Sequence, residues 1–279
     1  MLGAHGMLGH VVMRTFEDNG DDVVGIALEG DSRRVFAIDV AGYALDRFLQ
    51  INPFDLVINC VGILNQYAER NPDLAIALNA LLPHRLERFY MDTDTRIIQP
   101  STDCVFKGNT GPYTEDSVPD GTTFYDRTKA LGELCNGKDL TMRMSIVGPD
   151  VNEGGIGLLN WFMRQKGDIT GYGNAMWTGI TTIELARGML AAAERGLTGL
   201  YHYVPNENIS KYDMLRLFAE VTGKTDVNII PVDEPRIDKS LVNTRRDFDR
   251  EIPGYRDMFE TMFRWMREHA ALYPHYGLV

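Results

Sequence analysis

GAHGMLG, Gly3 to Gly9, is the stretch on which the reading of the fold turns. Its glycines, spaced Gly3-x-x-Gly6-x-x-Gly9, open a helical pattern that puts Leu8, Val11, Val12 and Phe16 on one side and ends near Asn19-Gly20. Glycines at such a turn allow tight reversal. They also let backbone amides approach a pyrophosphate, which sits on the positive end of the helix. The spacing alone does not separate a phosphate cradle from an ordinary turn. It gains weight from Asp22–Leu28 (DVVGIAL), a buried strand by pattern, and from a second strand over Arg33–Val40 that ends Ile38-Asp39-Val40. In a doubly wound fold this turn follows the central strand, yet only Met1 and Leu2 precede Gly3, where about five residues are needed. The expectation is therefore a truncated first strand, with several apolar residues ahead of Met1 in the native chain.

Outward from the turn, strands and helices alternate. A short helix is expected over Tyr43–Gln50 and a strand over Asp55–Cys60. A helix runs from Asn71 to about Tyr90, with Asn71 as cap, Pro72 in the first position and Asp73 in the first turn. A strand over Arg96–Ser101, a helix over Phe124–Cys135 and a strand over Leu140–Val147 follow. Apolar strands alternating with helices predict an α/β fold, a doubly wound Rossmann-type parallel sheet covered on both faces. After Gly148 the rhythm loosens, and Gly and aromatic residues dominate 154–177. Helices near Thr182–Arg195, Lys211–Thr222 and Tyr255–His269 and a strand near Leu200–Tyr203 complete the pattern. The division expected is a dinucleotide-binding lobe, 1–148 with 179–203 returning to it, and a smaller substrate-binding lobe, 149–178 and 204–279.

Composition narrows the class. The chain has 279 residues, 44% hydrophobic and 24% charged, enough to bury a real core. The net charge of −11, without a Lys/Arg block, argues against gripping nucleic acid through phosphates. No apolar run approaches the roughly 20 residues that span a bilayer. Cys60, Cys104 and Cys135 form no CxxC pair, and the six histidines have no metal-ligand spacing, so reduced thiols in a cytoplasm and no metal are expected.

Tyr125-Asp-Arg-Thr-Lys129 places a phenol and an ammonium one turn apart on a helix, after a strand ending Ser101-Thr102-Asp103. A Tyr hydroxyl, with a pKa of about 10, releases its proton poorly at neutral pH, and a neighbouring ammonium favours the phenolate. Lys129 is therefore expected to lower the Tyr125 pKa, while Thr102 bonds the same substrate oxygen. An aromatic ring packed on a Lys stem, and a plain turn residue at Thr102, are the structural alternatives.

With these residues the chain resembles the extended short-chain dehydrogenase/reductases, and more narrowly the dTDP-4-dehydrorhamnose reductase family. The resemblance runs through GAHGMLG (Gly3–Gly9), DLVINCVG (Asp55–Gly62), ALNA (Ala77–Ala80), STDCVFKG (Ser101–Gly108), PYTEDSVP (Pro112–Pro119), YDRTKALGE (Tyr125–Glu133), RMSIVG (Arg143–Gly148) and GLYHYVPNENISKYDML (Gly199–Leu215). It implies Thr102, Tyr125 and Lys129 as catalytic residues. It implies a cofactor site of Gly3, His5, Gly6, Met7, Leu8 and Gly9, then Asn59, Cys60, Val61 and Gly62, with Asn79 in support and Lys129 also on the nicotinamide ribose. Glu29 favours NAD through a ribose hydroxyl, whereas Arg33 and Arg34 favour NADP through a 2′-phosphate; with Asp39 and Val40 nearby, the choice stays open and tilts to NADP.

Relatives on this scaffold reduce, epimerise or dehydrate sugar nucleotides. Dehydratases place Asp then Glu after the Thr; here Asp103 is followed by Cys104, a poor carboxylate substitute, so elimination is disfavoured. The reading preferred is hydride transfer to a 4-keto sugar nucleotide, with an epimerase or a non-catalytic NAD(P)-binding subunit as alternatives. Asp103, Cys104, Trp161, Trp177, Arg236 and Lys239 are candidate substrate contacts, with Arg245 a further basic candidate; core packing is the alternative for the tryptophans. A nucleotide-sugar substrate is the expected partner, with neither nucleic acid nor membrane, and a homodimer is left open.

Overall fold

The glycine turn works because the residue before it is pinned on both sides. In the computed structural model, which describes residues 1–30 and 34–277, Leu2 bridges Ile26 on one flank and Asn59 on the other, both parallel. The chain then enters α1 (Gly9–Asn19). Next come β1 (Gly25–Ala27), β2 (Val35–Ala37), α2 (Ala44–Ile51) and β3 (Leu56–Ile58). One helical tract then holds α3 (Asn65–Arg70), α4 (Pro72–Ala75), a π-helical turn at Ile76–Leu81 and α5 (Leu82–Phe89). β4 (Arg96–Pro100), α6 (Phe124–Leu131), β5 (Leu140–Arg143) and β6 (Ile146–Val147) follow. The rest comprises α7 (Leu158–Arg164), β7 (Gly167–Tyr172), β8 (Ala175–Trp177), β9 (Ile180–Thr181), α8 (Thr182–Arg195), β10 (Gly199–His202), β11 (Ile209–Ser210), α9 (Lys211–Thr222), β12 (Val227–Val232), β13 (Ile237–Asp238) and α10 (Tyr255–Glu268).

β1 and β2 pair in parallel, and β3, β4, β5 and β10 form a parallel run in the order β10-β5-β4-β3. Leu2 joins the two sets, giving β2-β1-Leu2-β3-β4-β5-β10, the doubly wound order with its reversal at Leu2. A crevice outside the carboxyl ends of the strands is where such sheets take ligands. Smaller sheets, β11-β8-β13 and β12-β7, and the pair β6-β9 lie outside this run. α8 packs on α1, and α10 packs on α8 and α9.

Several expectations shift. The strand over Leu140–Val147 divides, with β5 in the main sheet and β6 paired to β9. The α6 helix stops at Leu131, four residues early, and at Gly132, which follows, a Cβ would stand 1.9 Å from the Asn79 carbonyl oxygen. Asn71 does not cap α4; its side chain donates instead to the Tyr67 carbonyl at 3.0 Å. The loosened stretch 154–177 contains α7, β7 and β8. Among the described residues, no helix is long and apolar enough to cross a membrane.

Between β1 and β3 the sheet is bridged by Leu2 alone. Leu2 N–H donates to Ile58 and its carbonyl accepts from Cys60, at 2.9 and 3.0 Å. The Met1 ammonium donates to the Val24 carbonyl at 2.8 Å, and burial pulls this amine down to about 6. Past Met1, between Val24 and Leu56, lies a cavity of about 490 Å³, partly walled by Phe16, Phe54 and Leu190. Extending the chain ahead of Met1 by four alternating Val and Ile residues is expected to stabilise it. Burial of each side chain contributes about 1.5–3 kcal/mol, while ordering each backbone unit costs about 1–2 kcal/mol. Thermal melts of extended and unextended proteins check this; equal Tm values would mean that the cavity does not accept a strand.

Two histidines are buried within this frame. His10 uses its ring nitrogens on the Gly6 carbonyl at 2.8 Å and the Tyr273 hydroxyl at 2.6 Å, and burial lowers its pKa from 6.5 to about 4. His202 contacts Arg143 at 3.0 Å and the Val242 carbonyl at 3.0 Å, and burial lowers it too, against the opposing pull of Glu115. Both are neutral in the folded chain and take up protons on unfolding. Their stabilisation is complete above the unfolded value of about 6.5 and is lost as the pH falls towards about 4. Urea melts are expected to show this decline between pH 7.5 and 4, with a shallower decline in His10→Gln.

Candidate functional site

β4 ends at Pro100, and the extended backbone of Thr102 (φ −144°, ψ 151°) turns the chain into a 3₁₀ turn at Asp103–Val105. The Thr102 hydroxyl accepts from Cys104 N–H and donates to Asp103 Oδ1, both at 3.1 Å. Facing this edge is α6, whose start is set by a capping box of Thr123 and Asp126. Tyr125, at the second position, packs its ring among Ala68, Ala75, Ile63 and Cys104, with its hydroxyl beside Thr102. One turn further, Lys129 Nζ donates to the Pro100 carbonyl at 2.9 Å. Phenol, alcohol and ammonium thus meet at the carboxyl end of β4.

The electrostatics differ from expectation in one respect. Burial raises the Tyr125 pKa, with Cys104, Asp103 and Asp126 adding to it and only Thr102 opposing. Lys129 is occupied with Pro100, and burial lowers it to about 8, against the opposing fields of Glu133 and Cys60. Desolvation therefore governs Tyr125, and the phenol is protonated at neutral pH. Burial likewise pushes the Cys60 and Cys104 thiols up to about 12, so both are neutral.

The glycine turn can hold a dinucleotide. A Cβ on Gly9 would stand 1.9 Å from the Gly3 carbonyl oxygen, and Gly3 has φ +78°. Among the described residues, the Met7 and Leu8 amides before α1 have no backbone acceptor, which fits an anion at the helix start. His5 is half-buried and Gly6 exposed in the same turn. Asn59 is buried and accepts from Val61 N–H at 3.2 Å, shaping the exit of β3 towards Cys60 and Gly62. Asn79 lies in the π-helical turn, bonds both the N–H and C=O of Ile63 at 2.9 Å, and reaches Thr128 at 3.1 Å. It supports the wall rather than facing it. Glu29 is exposed, and Arg34 lies 4.0 Å from Glu17. Asp39 is exposed and accepts from Ala41 N–H at 3.0 Å; Val40 is buried. Arg33 lies outside the described residues.

Of the proposed substrate contacts, Asp103 is buried, Cys104 adjoins Tyr125, and Lys239 lies close enough to act on Cys104. Trp177 is buried with its ring 5.8 Å from Tyr255. Trp161 stands on the exposed side of α7. Arg236 lies at the surface beside Glu234, and Arg245 bonds Asp247 and the Leu200 carbonyl. Sequence reasoning passed over Lys211, whose Nζ lies 4.9 Å from the Trp177 ring centroid and senses Asp103 and Cys104. A signal was present: Lys follows the Ser210 cap directly, a cation at the positive end of a helix, where it is disfavoured.

A family model described as the RmlD substrate binding domain matches residues 1–241. The methionine adenosyltransferase 2 subunit beta of Xenopus tropicalis is 27% identical over 254 residues, covering 84% of this chain and 75% of that protein. The probable low-salt glycan biosynthesis reductase Agl14 of Haloferax volcanii is 28% identical over 238 residues, covering 80% and 79%. The crystal structure of dTDP-4-dehydrorhamnose reductase from Bacillus anthracis in complex with NADP superposes with a TM-score of 0.80 at 18% identity, covering 95% of this chain and 97% of that one.

Asn79→Ala removes three side-chain bonds and leaves Ile63 groups unpaired. It is expected to destabilise the fold by about 2–4 kcal/mol in urea melts, whereas a change below about 0.5 kcal/mol, the usual range for surface sites, would show that Asn79 does not hold the wall.

Proposed function

The chain belongs to the RmlD substrate binding domain family, and from that membership we propose that it reduces a 4-keto sugar nucleotide with NADPH or NADH. The observation carrying this reading is the placement of the buried Tyr125 phenol beside Thr102 at the carboxyl end of β4. Reduction of a ketone needs a proton donor at the forming alkoxide, and a phenol with a raised pKa is in the donor form at neutral pH. A nicotinamide cofactor, when bound, supplies the hydride. The Gly3–Gly9 turn, Asn59, Cys60, Val61 and Gly62 would hold it, with Lys129 on its ribose.

Thr102, its hydroxyl turned from Asp103 to the substrate, holds the carbonyl oxygen in line with Tyr125, and Tyr125 gives its proton to that oxygen as charge develops. Lys129, fixed by Pro100, adds positive field at the same edge. Elimination is disfavoured because Cys104, pushed up to about 12, offers no base where a dehydratase has a carboxylate. The protein works in the cytoplasm, where its cysteines stay reduced; Cys60, Cys104 and Cys135 are all free thiols.

A second reading is a cofactor-binding subunit without turnover, favoured by the similarity to methionine adenosyltransferase 2 subunit beta. The two part on one experiment: oxidation of NADPH and NADH across TDP- and UDP-linked 4-keto-6-deoxyhexoses, with product identification. Tyr125→Phe is expected to keep cofactor affinity within about twofold and to lose about 10²–10⁴ of kcat, the range for one proton donor. Near-parental turnover by that variant would sink the role of Tyr125. Cofactor binding with no oxidation across the panel would favour the subunit.

A further inference from the structure

The glycine turn is tied from beneath to a residue 263 positions further along the chain. His10, in the first turn of α1, is buried, and its two ring nitrogens have different partners. Nδ1 lies 2.8 Å from the Gly6 carbonyl oxygen, and Nε2 lies 2.6 Å from the Tyr273 hydroxyl. Tyr273 is 1% exposed and sits between two 3₁₀ turns, Ala270–Leu272 and Pro274–Tyr276. Its ring meets that of His10 edge-on, with centroids 5.8 Å apart. The same segment reaches the loop after β6, where the Tyr276 hydroxyl accepts from Asp150 N–H at 3.1 Å. That loop approaches the glycine turn in its own right, since a Cβ on Gly157 would stand 3.2 Å from Met7 Sδ.

The proton positions follow from the partners. A carbonyl only accepts, so Nδ1 carries the hydrogen and donates to Gly6. The ring is neutral, so Nε2 accepts and the Tyr273 hydroxyl donates to it. Without that hydroxyl, Nε2 is a buried acceptor with no donor. Moving the proton to Nε2 does not repair this, because Nδ1 then presents a lone pair to the Gly6 oxygen. The Tyr273 hydroxyl therefore selects the tautomer that holds Gly6.

Gly6 matters because of the peptide it shares with Met7. In a planar trans peptide the C=O and the N–H point in opposite directions. His10 draws the Gly6 oxygen inwards, through its ring and through its own backbone N–H at 3.2 Å. The Met7 N–H then points outwards, ahead of α1, and among the described residues it has no backbone acceptor. An amide aimed that way at the positive end of a helix is a donor for an anion.

We propose that Tyr273, acting through His10, is a positioning residue for the cofactor: it sets the Gly6–Met7 peptide so that the Met7 amide meets the pyrophosphate. This rests on the cofactor site of the reading above and not on turnover, so it applies to the reductase and to the subunit alike.

The test titrates the full chain with NADPH and NADH, below the melting range of each variant, and reads phosphorus NMR of the bound pyrophosphate. Tyr273→Phe, which loses only the hydroxyl, is expected to weaken the tighter-binding cofactor by about 2- to 12-fold, the equivalent of about 0.5–1.5 kcal/mol for one neutral hydrogen bond. It is also expected to shift the pyrophosphate signals. His10→Leu, which cannot donate to Gly6, is expected to lose at least as much affinity. His10→Asn, whose amide nitrogen can replace Nδ1, is expected to recover part of it. A merely structural role would lower Tm in these variants and leave affinity and phosphorus signals as in the parental protein; that result overturns the proposal. So does weaker binding with unmoved pyrophosphate signals. Should Tyr273→Phe fail to fold, the comparison of His10→Asn with His10→Leu carries the test, and equal affinities there overturn the proposal. Each of these outcomes leaves the cofactor site standing. If the parental protein binds neither cofactor, that reading and this one fall together.

Discussion

The parallel sheet is continuous only because Leu2 pairs on both sides. Two strands lie to one flank and four to the other, and their shared seam is one residue wide. Its bonds to Ile58 and Cys60, with that of Gly3 N–H to the Ile26 carbonyl at 2.8 Å, fix where the chain leaves the sheet. The direction of the glycine turn, the start of α1 and the crevice between β1 and β3 all follow from that exit. Below the seam lies the cavity between Val24 and Leu56. The reversal of strand order survives on a minimal contact, and the turn that depends on it is correspondingly sensitive to how Met1 and Leu2 are held.

The second governing effect is desolvation. Tyr125, Cys60 and Cys104 are pushed towards their neutral forms, while Lys129 and Lys211 are brought down to about 8. One physical cause therefore yields a neutral donor, two silent thiols and two ammonium groups that remain mostly charged at neutral pH. This suits proton donation to an alkoxide better than proton abstraction. It also reverses the simpler argument that a Lys one turn from a Tyr must lower its pKa, because position on the helix says nothing of what else each head group meets.

Local signals account for what could be read in advance. α8 and α9 agree with their expected spans because each end is marked: Thr181 and Ser210 cap the starts, and Gly196 and Gly223 close the ends in the left-handed conformation. β3 and β4 were legible as apolar runs because a parallel strand is buried on both faces. The glycine turn and the Tyr125–Lys129 spacing are short-range features of the same kind. The rest was tertiary. The π-helical turn exists where Asn79 reaches Ile63, sixteen residues away in sequence, and no helical pattern encodes that contact. Arg236 and Arg245 looked alike as cations; one is solvated and the other bound to Asp247. Lys211 gains its meaning only from Trp177, brought under it by folding.

The buried pair Arg143–Glu133 shows why such contacts persist without being strong stabilisers. Both side chains are nearly inaccessible, and the guanidinium meets both carboxylate oxygens, at 2.8 and 2.5 Å. Taking two charges out of water costs several kcal/mol per ion, which their attraction roughly offsets, so net stability is a poor reason for the pair. Its partners suggest a better one. Glu133 also accepts from Ser101, the residue before Thr102, at 2.5 Å, and its field opposes the loss of charge on Lys129. One carboxylate thus fixes the backbone that presents Thr102 and helps to keep the neighbouring ammonium charged, while Arg143 orients that carboxylate from β5. Replacing the pair with apolar side chains of similar volume could preserve the fold and still leave Thr102 and Lys129 without their common anchor. The pair is better understood as positioning the edge of β4 than as holding the core together.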